Sequence, residues 1–323
     1  RCCGSSMPAF PPWAAQKYTC IRLLSQGGYG NVWLVRTDGG TVLVFKEVLA
    51  DAHGNRVTPR SADSVPLEAK LLSEHQHPFI VRLAEVLFDE PSGGLGLVTE
   101  FCDKGDLHTL LAELRRRGES VPEPQLLRWL VQICSALAHL HRQRVLHRDV
   151  KTANIFVSAD GTLKLGDFGL ARALGEQHDA VKSRVGSPFY LSPEICTNQP
   201  YGTESDVWAL GCVLYEMVCL AKAFYADNMA AVVERIRAAS YTPPPAGACS
   251  DGVRELLSQM LQLRPQLRPS VQQVLQHPVL RPALSQLEPP APPLALRHRL
   301  EADSEEVQEM QRAVREAAAS RAE

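Results

Sequence analysis

Several things this chain lacks narrow what it can be. Its 34 basic and 36 acidic residues nearly cancel, so no broad field of one sign exists to hold a nucleic-acid backbone or an anionic membrane, and no nucleic-acid partner is expected. No Cys-x-x-Cys pair occurs among the nine cysteines, at 2, 3, 20, 102, 134, 196, 212, 219 and 249. That pattern and the odd count argue against a disulfide framework or a zinc site and favour a reducing compartment. No apolar run is long enough to cross a bilayer; the most apolar stretch, Val207 to Leu220, is short and carries Glu216. The N-terminus shows no basic-then-apolar secretion signal, and no Gly-x-x-x-x-Gly-Lys-Ser/Thr run is present, which excludes a P-loop ATPase. A cytoplasmic protein is expected, and 323 residues with 45% apolar content suffice for two lobes. Residues 1–6 precede the first methionine, Met7.

The periodicity changes once along the chain. Tyr18 to Leu24, Gly30 to Arg36 and Thr41 to Val48 read as strands joined by a Gly-rich turn and by Asp38-Gly39-Gly40. Leu67 to Glu74 reads as a short helix, with Pro66 at its start. Further strands are expected at Val81 to Phe88 and Gly96 to Phe101, split by Pro91-Ser92-Gly93-Gly94. Beyond Cys102 the pattern is helical: Leu126, Leu127, Leu130, Ile133, Cys134, Leu137 and Leu140 recur at three- and four-residue steps. Asp206 to Leu220 is apolar almost all round, so it should be buried. From Leu280 the chain turns Pro-rich and reads as a linker, and 300–323 places Val307, Met310, Val314 and Ala317 on one face of a charged helix. The fold class is therefore α+β: a small five-stranded antiparallel lobe with one main helix over 18–101, and a larger, mostly helical lobe over 102–278. Residues 1–17 are expected to be a disordered extension, and 279–323 a linker with a terminal helix that offers a partner-binding face.

The run His147-Arg148-Asp149-Val150-Lys151-Thr152-Ala153-Asn154, followed after twelve residues by Asp167-Phe168-Gly169, supplies a set of phosphoryl-transfer groups. Asp149 is the carboxylate that orients an attacking hydroxyl, Lys151 lies near the transferring phosphate, and Asn154 and Asp167 are oxygen ligands for Mg²⁺. Upstream, Gly27, Gly28 and Gly30 in a strand-to-strand turn let backbone amides approach phosphates. Lys46, sixteen residues after Gly30, ends the apolar run Val42-Leu43-Val44-Phe45 and can reach the phosphates of ATP. Glu68 is its expected partner, with Glu74 as the rival on the same helix.

These motifs, together with Leu97-Val98-Thr99-Glu100-Phe101-Cys102-Asp103-Lys104-Gly105-Asp106-Leu107 and Gly186-Ser187-Pro188-Phe189-Tyr190-Leu191-Ser192-Pro193-Glu194, resemble a eukaryotic Ser/Thr protein kinase, and most nearly the NIMA-related (Nek) kinases. Lys151, two residues after Asp149, resembles the Ser/Thr class. The resemblance implies protein substrates with serine or threonine acceptors, and ATP and Mg²⁺ as cofactors. It further implies backbone contacts from Glu100 and Cys102 to adenine, Val32, Val44 and Phe156 around the ring, Asp106 at the ribose and Thr99 as gatekeeper. Ser183 is implied as a regulatory phosphosite, filled by autophosphorylation or an upstream kinase, with Arg148 and Arg172 as its counter-charges, and Ser187 as a contact to Asp149 and Lys151. Glu194 and Arg268 are implied as a buried ion pair, and Asp206 as a cap of the buried helix that also holds the catalytic-loop backbone. By resemblance the cellular setting extends to centrosome, cilium or flagellum.

Three positions depart from the family pattern: Ser25 for the first loop glycine, Val44 for an alanine, and Arg264 for an aspartate. Extra residues around Asp51-Ala52-His53-Gly54 could hold the Glu68 helix in an unproductive place. The alternative these departures raise is a catalytically weak, ATP-binding kinase-like scaffold.

Overall fold

The computed structural model describes residues 8–27, 30–49, 67–89, 91–173 and 188–287. Gly28, Ser183, Ser187, the extra residues at 51–54 and the expected helix in 300–323 lie outside them, as does the side chain of Arg172. The chain divides into two units: residues up to Gln76 with Val81–Phe101, and His77–Ile80 with the residues from Cys102.

The small unit is built on β1 (Thr19–Gly27), β2 (Gly30–Arg36), β3 (Val42–Glu47), β4 (Leu83–Asp89) and β5 (Gly94–Glu100), with α1 (Leu67–Glu74) between β3 and β4. The strands form one antiparallel sheet in the order β1-β2-β3-β5-β4. All five expected strands form, with ends shifted by a few residues, and α1 has the expected limits. Directly paired residues share a face of a sheet. Val32 pairs with Lys46, Leu34 with Val44, Val44 with Thr99 and Lys46 with Leu97, so these side chains line one face. Trp33, Val35, Leu43, Phe45 and Val98 line the other. The two faces have separate cores. Ala69 of α1 packs with Val48, Leu95 and Leu97.

On the opposite face the structure corrects the expectation of a disordered 1–17. Within residues 8–17 a 3-10 turn at Ala14–Gln16 brings Ala14, fully buried, into the core of Trp33, Val35, Leu43, Phe45 and Val98, with Phe10 and Trp13 packed against it. Short proline-containing segments show no period of their own, so the sequence signal was absent although the apolar residues were there.

The large unit contains α2 (Leu107–Arg117), α3 (Glu123–Arg142), α4 (Pro193–Cys196), α5 (Thr203–Cys219), α6 (Met229–Arg237), α7 (Asp251–Met260), α8 (Val271–Leu275) and α9 (Arg281–Ser285). Two short two-stranded antiparallel sheets pair β6 (Val145–Leu146) with β9 (Arg172–Ala173) and β7 (Ile155–Val157) with β8 (Leu163–Leu165). All seven apolar positions expected on α3 are buried, and every residue from Ser205 to Val218 of α5 is buried. Side-chain caps start the helices: Asp106 for α2, Asn228 for α6, Ser250 for α7, and Ser270 with Gln273 in a capping box for α8. Gly118, in a left-handed conformation at φ 69°, ends α2. The packed body runs past the expected boundary at 278. Leu280 and Ala283 are buried and α9 continues to Ser285, because Pro282 stands in the first turn, where its missing N–H costs nothing.

Candidate active site

In the small unit, β3 presents Lys46 beside α1. Its Nζ lies 2.8 and 2.7 Å from the two carboxylate oxygens of Glu68, so Glu68 and not Glu74 is the partner. Both side chains are largely shielded, and α1 is not drawn away from β3 by the residues inserted before it. Gly30, at φ 155°, closes on the end of β3: a β-carbon there would stand 1.8 Å from the Glu47 carbonyl oxygen. Only glycine permits that approach. Ser25 pairs with Val32 after a bulge in β1 and is not in a positive-φ conformation, so the departure from glycine carries no backbone strain.

In the large unit, the catalytic loop is organised by one buried carboxylate. Asp206, fully buried, accepts the backbone N–H groups of His147 and Arg148 at 3.0 Å each, a 2.8 Å contact from His141 Nε2, and the Tyr201 hydroxyl at 2.6 Å. This corrects part of its expected role. Asp206 lies one turn inside α5, whose N-cap is Gly202, and its carboxylate serves the loop and not the helix amides. Burial pushes the Asp206 carboxyl up, but the hydrogen bond and charge of His141, the His147 charge and the Tyr201 hydroxyl outweigh it and hold it below the ordinary carboxylate range. Arg148 is left-handed at φ 68°, and its guanidinium lies over the Tyr201 ring.

The turn delivers Asp149. Its Oδ2 accepts Lys151 Nζ at 2.6 Å and Asn154 Nδ2 at 2.8 Å, and Asn154 also donates to the Asp149 carbonyl at 2.9 Å. With its amide N–H groups so used, Asn154 turns its oxygen to other purposes. Gly166 N–H bonds the Asn154 carbonyl at 2.9 Å, which brings Asp167 beside the loop. Asp167 is left-handed at φ 58° and exposed, while the next residue, Phe168, is fully buried with its edge against His147. Positive φ at a non-glycine costs about 1–3 kcal/mol and persists where surrounding structure enforces it. An amide oxygen and a carboxylate are hard donors that suit Mg²⁺.

Asp106 has a structural role in addition to the one the resemblance implies. Its carboxylate caps α2, accepting Thr109 N–H at 2.8 Å and the Thr109 hydroxyl at 3.0 Å; an aspartate just before an apolar helical run was the available signal. Phe156 bridges to Asp106 across an antiparallel pair, and the Cys102 carbonyl accepts Gly105 N–H. Glu194 and Arg268 form a two-point ion pair at 2.8 Å for each bond, buried, with Arg268 over the Trp208 ring.

One network had no reading in the sequence beyond a charge in an apolar run. Glu216, buried in α5, receives Lys222 Nζ at 2.5 Å, the Tyr190 hydroxyl at 2.5 Å and the Thr152 hydroxyl at 3.2 Å. It ties the catalytic loop to the segment just before Pro193.

His77 adds a pH response. Burial first, then His139, Arg142 and Lys164, push it down from 6.5 to about 4, and its Nδ1 accepts Phe79 N–H. The unfolded chain takes up this proton near pH 6.5 and the folded chain only near 4, so the stability tied to neutral His77 is complete above 6.5 and is lost as pH falls toward 4. Thermal midpoints measured across that range should fall more steeply for the natural chain than for His77→Asn, which keeps the acceptor and lacks the titration; identical slopes would contradict it.

Residues 18–280 match the family described as Protein kinase domain. The chain is 38% identical over 262 residues to Serine/threonine-protein kinase Nek1 of Mus musculus, covering 81% of this chain and 21% of that protein. It is 40% identical over 270 residues to Serine/threonine-protein kinase Nek4 of Mus musculus, covering 83% and 33% respectively. Against Serine/threonine-protein kinase Nek5 of Homo sapiens the identity is 36%, over 82% of this chain and 36% of the relative. The chain thus spans between about a fifth and about a third of the length of these relatives.

Proposed function

The chain belongs to the protein kinase domain family, and from that premise we propose that it transfers the γ-phosphoryl group of ATP to serine and threonine hydroxyls of protein substrates. The observation that carries the proposal is the Asp149 carboxylate, fixed by Lys151 and Asn154 on a loop that Asp206 holds in shape. A carboxylate so fixed accepts a hydrogen bond from an incoming hydroxyl and orients its oxygen. Lys151 keeps positive charge next to that oxygen. In a loose transition state, such positioning and charge placement dominate over deprotonation. Lys46, steadied by Glu68, supplies a second cation for the phosphates. Asn154 and Asp167 would hold Mg²⁺, which when bound neutralises phosphate charge. Val32, Val44 and Thr99 share the sheet face of Lys46 and are assigned to the nucleotide. Glu100 and Cys102 are assigned to adenine through their backbone, and Phe156 to its ring.

Regulation is proposed through a phosphate on Ser183, added by autophosphorylation or by an upstream kinase and paired with Arg148 and Arg172. The setting proposed by resemblance is the cytoplasm and its cytoskeletal structures. Among the described residues, no helix is long and apolar enough to cross a membrane. The test is transfer of label from γ-labelled ATP with Mg²⁺ to casein, followed by phosphoamino-acid analysis. Label on serine or threonine, absent with Asp167→Ala, is expected. ATP binding without transfer, even in Ser183→Glu, would instead indicate a nucleotide-binding scaffold.

A further inference from the structure

The match to the kinase family starts at Tyr18, yet the small unit is not closed without the residues before it. Phe10 sets its ring edge-on to Trp33 at 5.5 Å and to Phe45 at 5.3 Å, and Trp13 packs edge-on to Phe45 at 5.6 Å. The sheet is shaped to receive them. A β-carbon at Gly94 would stand 2.6 Å from the Trp13 indole, and one at Gly96 would stand 2.3 Å from the Phe45 ring and 3.2 Å from Trp13. β5 therefore carries glycine at two successive positions on this face: a side chain at Gly94 would collide with the indole, and one at Gly96 with the Phe45 ring beneath it. The far end of the segment is fastened to β4: Lys17 Nζ bonds Glu85 at 2.6 Å, and the Tyr18 hydroxyl donates to the other oxygen of Glu85. Aromatic packing, a glycine-lined seat and a polar anchor are three separate devices for holding one nine-residue strap, Phe10–Tyr18.

Phe45 lies under the strap, and its chain neighbour is Lys46. Successive residues of a strand point to opposite faces, so the strap covers β3 on one side while Lys46 meets Glu68 on the other. We propose that Phe10–Tyr18 is a positioning element for the phosphate-binding lysine. By clamping Phe45 it fixes the height and tilt of β3, and thereby the place of the Lys46 ammonium. Trp13 and Phe10 are then positioning residues for ATP use, although they belong to no kinase motif. The consequence for turnover rests on the kinase reading above; the consequence for nucleotide affinity needs only that Lys46 meets phosphate.

The test uses the full chain with Trp13→Ala, Trp13→Phe and Gly94→Ala, the last adding a methyl group that wedges the indole out while keeping every apolar residue. The dissociation constant for Mg·ATP is measured by titration well below the melting temperature, with KM for ATP and kcat on casein alongside. Trp13→Ala and Gly94→Ala should each weaken ATP by about five- to tenfold, the lower range for coupling through packed elements. Trp13→Phe should recover most of the loss, and the change should fall on KM for ATP more than on KM for casein. If either disruptive variant folds, melts at a lower temperature and still binds ATP as the natural chain does, the strap is only a cover and the proposal is overturned. Should Trp13→Ala not fold, Gly94→Ala decides by the same criterion. A natural chain that binds ATP without transferring phosphate would sink the kinase reading and leave the binding comparison intact.

Discussion

Asp149→Asn should lower phosphoryl transfer by about 10²–10³-fold, the range for removing one preorganised electrostatic contact from a reacting site, while ATP binds as before. Asparagine has the same shape, so the loop backbone held by Asp206 and the Asn154 bond to the residue-149 carbonyl survive. The anion is lost. The single oxygen Oδ2 now accepts from both Lys151 and Asn154; a neutral amide offers one oxygen without charge, or turns an N–H toward the Lys151 ammonium. The incoming hydroxyl loses its acceptor, and Lys151 loses the partner that holds it. Single-turnover transfer measured beside nucleotide titration separates the two effects. Transfer within tenfold of the natural chain would show that Asp149 has no such role.

Arg268→Ala should act on folding, by about 3–5 kcal/mol, because it strands a carboxylate that is buried and paired. Arg268 gives two bonds to Glu194 and further ones to the carbonyls of Gln262, Glu204 and Leu263, so all of these acceptors lose a donor at once. The pH dependence identifies the cause. Burial pushes the Glu194 carboxyl up, but the hydrogen bonds from Arg268 and Ser205 outweigh it and hold it below the usual carboxylate range. In the natural chain the stability from this pair is therefore complete above the unfolded value and is lost as pH falls through the lowered folded one. Without Arg268 the upward push of burial is opposed chiefly by the Ser205 hydrogen bond. Acidification then neutralises the stranded Glu194, and the gap between variant and natural chain should narrow toward pH 4, the ordinary carboxylate region. Chemical denaturation at several pH values reads this directly; a gap constant with pH would assign the loss to the carbonyl contacts alone.

What could be read from the chain was whatever local pattern encodes. Strand and turn signals gave β2 and β3, the resemblance gave Val32 and Val44 their place at the nucleotide, three- and four-residue spacing gave α3, and an all-round apolar run gave the buried α5; the shared face of Val32, Val44 and Lys46 came from the strand register. The catalytic set was legible because its members lie close in sequence and each is chemically distinctive. The unread features join residues distant in the chain. The seat for Trp13 consists of glycines about eighty positions later, and nothing in Pro11-Pro12-Trp13 announces it. The Glu216 network needs Thr152, Tyr190 and Lys222 to be brought to one helix. The resemblance gave Asp206 two roles, a helix cap and a tie to the loop backbone, and its bonds run to the loop amides. The Pro-rich composition from Leu280 onward reads as linker, although Pro282 stands in the first turn of α9, where proline is compatible with a helix.

Asp206 also bears on timing. The loop that carries Asp149 takes its shape from a side chain already buried in α5 when the large unit folds. The entropy of ordering residues 147–149 is thus lost once per molecule, during folding, and not once per catalytic cycle. In the proposed reaction, each encounter with an acceptor hydroxyl would meet a carboxylate already in place. Any slow conformational step in a turnover must then arise in other parts of the chain, and this loop should show as little exchange with solvent as the helix that holds it.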